Sequence, residues 1–127
     1  MEVNMSNRKT IEQLWAIHKY EVMLHSQRHY NAIRQAMKSN PTEQDIRKLI
    51  DEALDIETTE GSLKNTADHI WGYFKKCATD EEKAKYLTLK ARLTIDEADE
   101  MLAMLYSFSV KYDVNYLIQS SIFRRYQ

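Results

Sequence analysis

Thr79-Asp80-Glu81-Glu82 and Thr94-Ile95-Asp96-Glu97 decide the fold class of this chain. Each sets a threonine three residues ahead of a glutamate, just before apolar residues at helical spacing. In such a capping box the threonine hydroxyl accepts from a backbone N–H of the first turn, and the glutamate carboxylate accepts from the threonine's own N–H. The first box predicts a helix through Tyr86, Leu87, Leu89 and Leu93, and the second one through Ala98, Met101, Leu102, Leu105 and Phe108. Outward from this pair the same logic repeats. Ile11, Leu14, Trp15, His18 and Val22, widened by Ile17, Tyr20 and Leu24, predict a first helix from about residue 9 to 24. Ser26 reads as the N-cap of a second helix with Tyr30, Ile33, Ala36 and Met37 inside, stopping at Ser39-Asn40-Pro41 because the residue before proline avoids the helical region. Thr42 with Asp45 opens a third through Ile46, Leu49, Ile50, Ala53 and Leu54, ending before Gly61. A fourth carries Leu63, Ala67, Ile70, Trp71 and Phe74 on one side, and a short seventh turns Tyr116, Leu117, Ser120, Ile122 and Phe123 inward.

Composition agrees with these helices. In 127 residues there are one proline and two glycines, too few for the turns of a β-sandwich or barrel. The expectation is all-α: a single compact bundle of six to seven helices with short connections, one domain over residues 1–127. The lone Cys77 excludes an internal disulfide, a cysteine-based zinc site and an iron-sulfur cluster, and fits a reducing, cytoplasmic setting. Residues 1–10 lack an apolar core, which excludes a secretory leader or anchor there. Met101 to Val110, the most apolar stretch, is about half the ~20 residues of a membrane span.

His69-Ile70-Trp71-Gly72-Tyr73-Phe74-Lys75-Lys76 is the most informative stretch for function. A glycine inside a helix costs about 1 kcal/mol relative to alanine, so Gly72 between Trp71 and Tyr73 predicts a close approach of another helix or a ligand to the backbone. Lys75 and Lys76 favour an anion. Charge alternates along the chain although the net is −1: residues 1–38 hold six Lys/Arg against three Asp/Glu, 39–62 two against seven, 63–79 three against one, 80–100 four against seven, and 101–127 three against one. Packing helices one, two and four beside the C-terminus would collect the basic segments on one face; the alternative is a set of solvated helix faces with no partner.

Leu14-Trp15, His18-Lys19-Tyr20, His25-Ser26, His29-Tyr30, Asn65, His69, Gly72-Tyr73-Phe74-Lys75, Glu82-Lys83, and Tyr116-Leu117 with Gln119 occur in this order over nearly the whole chain. The ordered set resembles the YbgA-type helical domain, a family of unknown function. It departs from the family at Gln27, where a proline usually follows the His-Ser pair, and at Arg124-Arg125-Tyr126, where a Pro-Tyr-Pro-like tail is usual. The resemblance implies a helical module found alone or fused to a thiouracil-desulfidase-type domain with a cysteine-bound iron-sulfur cluster, in which the helical part grips tRNA. With Cys77 alone this chain cannot build that cluster, so any desulfidase-type chemistry would come from a separate protein acting in trans.

The residue chemistry suits structured RNA such as tRNA. Lys19, Arg28, Lys75, Lys76, Arg124 and Arg125 are candidate phosphate contacts; Tyr20, Tyr30, Tyr73 and His29 are candidate stacking faces for an unpaired base. His69 and Gly72 share the side of the fourth helix with Tyr73 and Lys76. Trp15, Trp71 and Phe74 read as core, Tyr30 and Tyr73 fit either role, and His18 reads as a buried histidine bonded to a neighbouring helix. An alternative is a protein-interaction subunit, a homodimer or a docked partner, using the Met and aromatic surface of the sixth and seventh helices. A third is a small enzyme based on His69 and Tyr73, which at four residues apart could share a hydrogen bond. No nucleophile motif, cofactor loop or catalytic set accompanies them, and no cofactor is expected. His18, His25 and His29 would align in an unbroken helix, but Ser26 interrupts it and no acidic ligand stands at clear spacing, so no metal is assigned.

Overall fold

Side-chain oxygens start most of the helices in the computed structural model, which describes residues 2–127, with side chains from residue 7 onward. Met1 and the side chains of residues 2–6, on which the reading of the N-terminus partly rests, lie outside the described residues. Helix α1 spans Glu2–His25, starting several residues ahead of its apolar stripe. Ser26 caps α2 (Gln27–Met37), its Oγ accepting from the His29 N–H at 3.1 Å. After α2, Asn40 takes the left-handed region (φ 55°) ahead of Pro41, a position that asparagine tolerates. Thr42 and Asp45 form the expected capping box on α3 (Glu43–Leu54). A box not foreseen, Thr59 with Ser62, starts α4 (Glu60–Trp71); serine does there what glutamate does elsewhere. Thr79 and Glu82 start α5 (Asp80–Ala91). The Thr94–Glu97 box closes on a single 3-10 turn, Ile95–Glu97, which feeds α6 (Ala98–Lys111). Helix α7 (Asn115–Ile118) and a 3-10 segment, Ser121–Tyr126, complete the bundle, and no strand occurs among the described residues.

Helix α1 sits in the middle, packed against α2, α3, α4 and the C-terminal 3-10 segment, while α6 packs on α4, α7 and that same segment. The shared core includes Val22, Met23, Ile33, Ile46, Leu63, Ile70, Phe74, Leu105, Leu117 and Phe123, all fully buried. One aromatic stack anchors α5: Trp71 and Tyr86 lie 4.4 Å apart and 10° from parallel. Several placements differ from expectation. Ile17, read as part of the inner face of the first helix, is 40% exposed. Leu87 is 61% exposed, because with Tyr86, Leu89 and Leu93 turned inward the next position lies about 100° round the helix. Tyr116 is 40% exposed rather than inward. Met101, Met104 and Phe108 are buried, so α6, wedged between three neighbours, offers no methionine surface for docking.

Gly72 also differs. It does not lie inside a helix: α4 ends at Trp71 and Gly72 is its C-cap, in right-handed backbone (φ −52°, ψ −27°). The following amides bond three residues back, Tyr73 to Ile70 at 3.1 Å and Phe74 to Trp71 at 2.8 Å, which tightens the chain out of the α-helix. Gly72 is exposed, and an added Cβ would meet only the carbonyl oxygens of His69 and Asp68, at 3.2 and 3.7 Å. Among the described residues no other helix comes within 4 Å of that position.

Two carboxylates fasten α5 across its neighbours. Asp68 accepts from the Tyr86 hydroxyl at 2.5 Å and from Lys90 at 2.8 Å. Glu82 accepts from its cap partner Thr79 N–H at 2.9 Å, from Lys111 Nζ at 2.7 Å and from the Tyr112 hydroxyl at 2.5 Å. The Lys111 ammonium, then Tyr112 and the Thr79 amide, hold the Glu82 carboxyl down at about 2. For Asp68, burial pushes the carboxyl up, but Lys90 and Tyr86 outweigh it and hold the group below the ordinary aspartate value.

A carboxyl whose pKa is lower in the folded chain stabilises it above the unfolded value and loses that contribution as pH falls through the folded one. For Glu82 that window runs from 4.5 down to about 2. Glu82→Gln is expected to cost about 1 kcal/mol at pH 7. It should also lose less stability than the parent between pH 7 and pH 3, checked by urea unfolding at both. Gly72→Ala should shift stability by less than about 1 kcal/mol, since its backbone suits any residue and only a carbonyl must yield slightly; a thermal melt decides it.

Candidate functional site

Three tyrosines from three distant segments meet at one end of α1. Tyr20 comes from α1, Tyr73 from the tightened turn after α4, and Tyr116 from α7. The Tyr20 and Tyr73 hydroxyls are 2.8 Å apart. The Tyr20 ring stands edge-on to both others, 6.3 Å and 85° from Tyr73 and 6.4 Å and 87° from Tyr116. Tyr73 and Tyr116 lie 6.4 Å apart and 27° from parallel. Tyr20 is buried, while Tyr73 and Tyr116 are each 40% exposed, so one inner phenol supports two outer ones. Ile17, one turn before Tyr20, is exposed to the same extent.

Helix α2 supplies the adjoining part. Tyr30 is buried against Trp15, with centroids 5.5 Å apart, and lies within electrostatic reach of Tyr20 and Tyr73. Lys19 Nζ stands 5.8 Å from the Tyr20 ring centre and the Arg34 guanidinium carbon 5.9 Å from that of Tyr30. The two cations feel each other: burial, then the Arg34 charge, lowers the Lys19 pKa. Burial raises the phenols of Tyr20, Tyr30 and Tyr116, with the Tyr73 hydrogen bond adding to the rise at Tyr20, so all three remain protonated donors. Among the described residues neither Lys19 nor Arg34 forms an ion pair with a carboxylate.

Of the residues singled out in the sequence, the fold brings Lys19, Tyr20, Tyr30 and Tyr73 together. Others lie elsewhere. Arg28 is about 200° round α2 from Tyr30 and, with His29, Ala32, Leu49 and Glu52, lines a groove on the α3 side. His29 Nδ1 lies 2.8 Å from its own cap residue, Ser26 Oγ. His69, Lys75 and Lys76 are exposed around the end of α4, with Lys75 in electrostatic reach of Asp68. Arg125 pairs with Asp99 at 2.7 Å, and Arg124 is exposed beside it in sequence. The basic segments do pack round α1, but their cations do not all turn the same way.

Several further expectations are corrected. His18 is half-buried and its Nδ1 lies 2.9 Å from the Leu14 carbonyl of its own helix, not from a neighbouring one, because an i to i−4 carbonyl is the nearer acceptor. The Tyr73 hydroxyl pairs with Tyr20 rather than with His69, since the chain leaves the α-helix between them. His25 Nδ1 donates to the Ile56 carbonyl at 2.6 Å, so the three histidines of α1 and α2 serve separate partners, two local and one beyond α3. Among the described residues no three His, Cys, Asp or Glu side chains are grouped to hold a metal. None of those residues forms a helix long and apolar enough to cross a membrane.

Two members of the site escaped the sequence. Arg34 had a local signal, one turn after Tyr30 on the same face of α2. Tyr116 belonged to one of the strings that carry the resemblance, but its apolar neighbours Leu117, Ile122 and Phe123 suggested an inward face, and only the path of α7 carries it outward.

No curated protein and no solved structure matches the chain. A family model does, over residues 19–127, and it covers every member of the tyrosine cluster together with Lys19 and Arg34. The YbgA-type resemblance read from the ordered motifs is consistent with that match. On it, the chain belongs to the family described as protein of unknown function, DUF1722.

Proposed function

We propose that this chain is an RNA-binding module that engages structured RNA such as tRNA through the tyrosine face. The observation that carries the reading is the combination of two exposed, near-parallel rings, Tyr73 and Tyr116, with two cations, Lys19 and Arg34, that have no carboxylate partner among the described residues. Exposed ring faces lower the free energy of a stacked base, and unpaired cations gain from a phosphate without first giving up an ion pair. Lys75, Lys76 and Arg124 are outlying exposed cations that add long-range attraction to a polyanion. Action beside a separate desulfidase-type protein, as the resemblance implies, belongs to the same reading: this chain would hold the RNA and the partner would do the chemistry.

A second reading rests on the same patch. Ile17, Tyr73 and Tyr116, each 40% exposed, also suit a protein-docking or homodimer surface.

Binding of unmodified tRNA transcripts, followed by fluorescence anisotropy across a salt series, separates the two. The RNA reading expects affinity that falls as salt rises, and a loss of about 5- to 100-fold when Tyr73 and Tyr116 are both changed to alanine. No detectable binding at low salt would overturn it. The docking reading expects a dimer in analytical ultracentrifugation that Ile17→Glu converts to monomer; a parent chain that sediments as a monomer at every concentration rules out the homodimer.

A further inference from the structure

We infer that the tyrosine face takes an unpaired stretch of RNA rather than a duplex, with one phosphate held between Lys19 and Arg34 and one base laid against Tyr73 and Tyr116. This rests on the RNA-binding reading and narrows it to a ligand class and a set of contacts, two of which, Arg34 and Tyr116, were not among the candidate RNA contacts read from the sequence.

The rings are built to present faces. Tyr20, buried and edge-on to both, bonds the Tyr73 hydroxyl at 2.8 Å and so fixes the outer pair before any ligand arrives. Rings already held in place lose little rotamer freedom on binding. Aromatic faces are useful only to a base that exposes its own, and bases in a duplex are stacked on one another and offer only their edges. The hydroxyl pair adds a polar contact. Two hydroxyls joined by one hydrogen bond use one of their two protons; when Tyr20 is the donor, the exposed Tyr73 keeps its own proton for an acceptor on the base.

The cations argue for a small phosphate site. Lys19 and Arg34 lie within electrostatic reach of each other, each near a tyrosine ring and, among the described residues, neither paired with a carboxylate, so a shared oxyanion would relieve their repulsion. A duplex needs cations in a track along its backbone. Here the neighbours do not extend one: Arg28 faces the α3 side, Arg125 is taken by Asp99 and Lys75 lies within electrostatic reach of Asp68, which leaves Lys76, after α4, and Arg124, in the C-terminal 3-10 segment, on separate elements. A pocket for a free metabolite is not what surrounds the rings either, since Tyr73 and Tyr116 lie open at the surface.

The test compares a labelled single-stranded RNA of about twelve nucleotides with the same strand annealed to its complement, by anisotropy at low salt. The inference expects the single strand to bind at least tenfold more tightly. It expects Tyr73→Leu or Tyr116→Leu to weaken the single strand by about 5- to 100-fold while leaving the duplex unchanged. Arg34→Gln should lower single-strand affinity and make the salt slope shallower by roughly 0.7, the value for one lost phosphate contact on a single strand. Tyr73→Phe, which keeps the ring and the packing, should retain most of the affinity and guards against a folding artefact in the leucine variants. A duplex bound as tightly as the single strand would overturn the inference and leave RNA binding standing. Single-strand preference unchanged in both leucine variants would overturn the placement of the base. Failure of both RNAs to bind would overturn the RNA-binding reading itself.

Discussion

Burial of α1 on several sides at once is the constraint from which the rest of the structure follows. Its buried residues Ile11, Leu14, Val22 and Met23 are covered by α2, α3, α4 and the C-terminal 3-10 segment together, so no neighbour can shift without exposing part of the same core. Each of these large side chains contributes about 1.5–3 kcal/mol when fully removed from water, more than any single surface ion pair in the molecule. A central helix shared in this way also brings its flank into contact with segments from every part of the chain. Tyr20 lies on that flank, which is why a residue of α1 comes to touch a turn after α4 and a residue of α7.

The end of α4 turns that contact into a site. Gly72 is the residue at which the chain changes from four-back to three-back hydrogen bonds, and the tighter turn sends consecutive side chains to opposite destinations. Phe74 enters the core against Trp71 and Phe108, and Tyr73 turns to Tyr20 and Tyr116. A helix continued through this point would keep Tyr73 over His69. Gly72 therefore marks where the helix ends rather than a space for something to approach, and its right-handed backbone does not itself require glycine.

Charge is distributed by role. Carboxylates are spent on structure: Glu82 and Glu97 cap helix starts, Glu82 and Asp68 fasten α5, and Asp99 takes Arg125 and Tyr126. Among the described residues Lys19 and Arg34 have no such partner, and the like charge each feels from the other is the unfavourable local feature that a bound anion would relieve. Gln27, at the position where the resembled family usually has proline, gains a tie the proline lacks: its side-chain oxygen accepts from Asn65 at 2.7 Å, joining the start of α2 to α4.

The sequence by itself determined the helices, their starts and most of the core. Capping boxes and apolar stripes are agreements among residues within about four positions of one another, and such agreements survive whatever the tertiary structure does. That is why Thr42, Thr79 and Thr94 could be read correctly, and why Ile33, Ile46, Ile70 and Leu105 were legible as interior. Where the stripe was wide the reading failed, as at Leu87 and Tyr116, because periodicity gives a face and not its edge. Only the tertiary structure decided that Tyr20 meets Tyr73, 53 residues away, that Tyr116 joins them, and that Arg34 comes within electrostatic reach of Lys19. Those contacts depend on how α2, α4 and α7 lie across α1, and the angles between helices are set by the fit of whole surfaces, which leaves no mark at any one position in the chain.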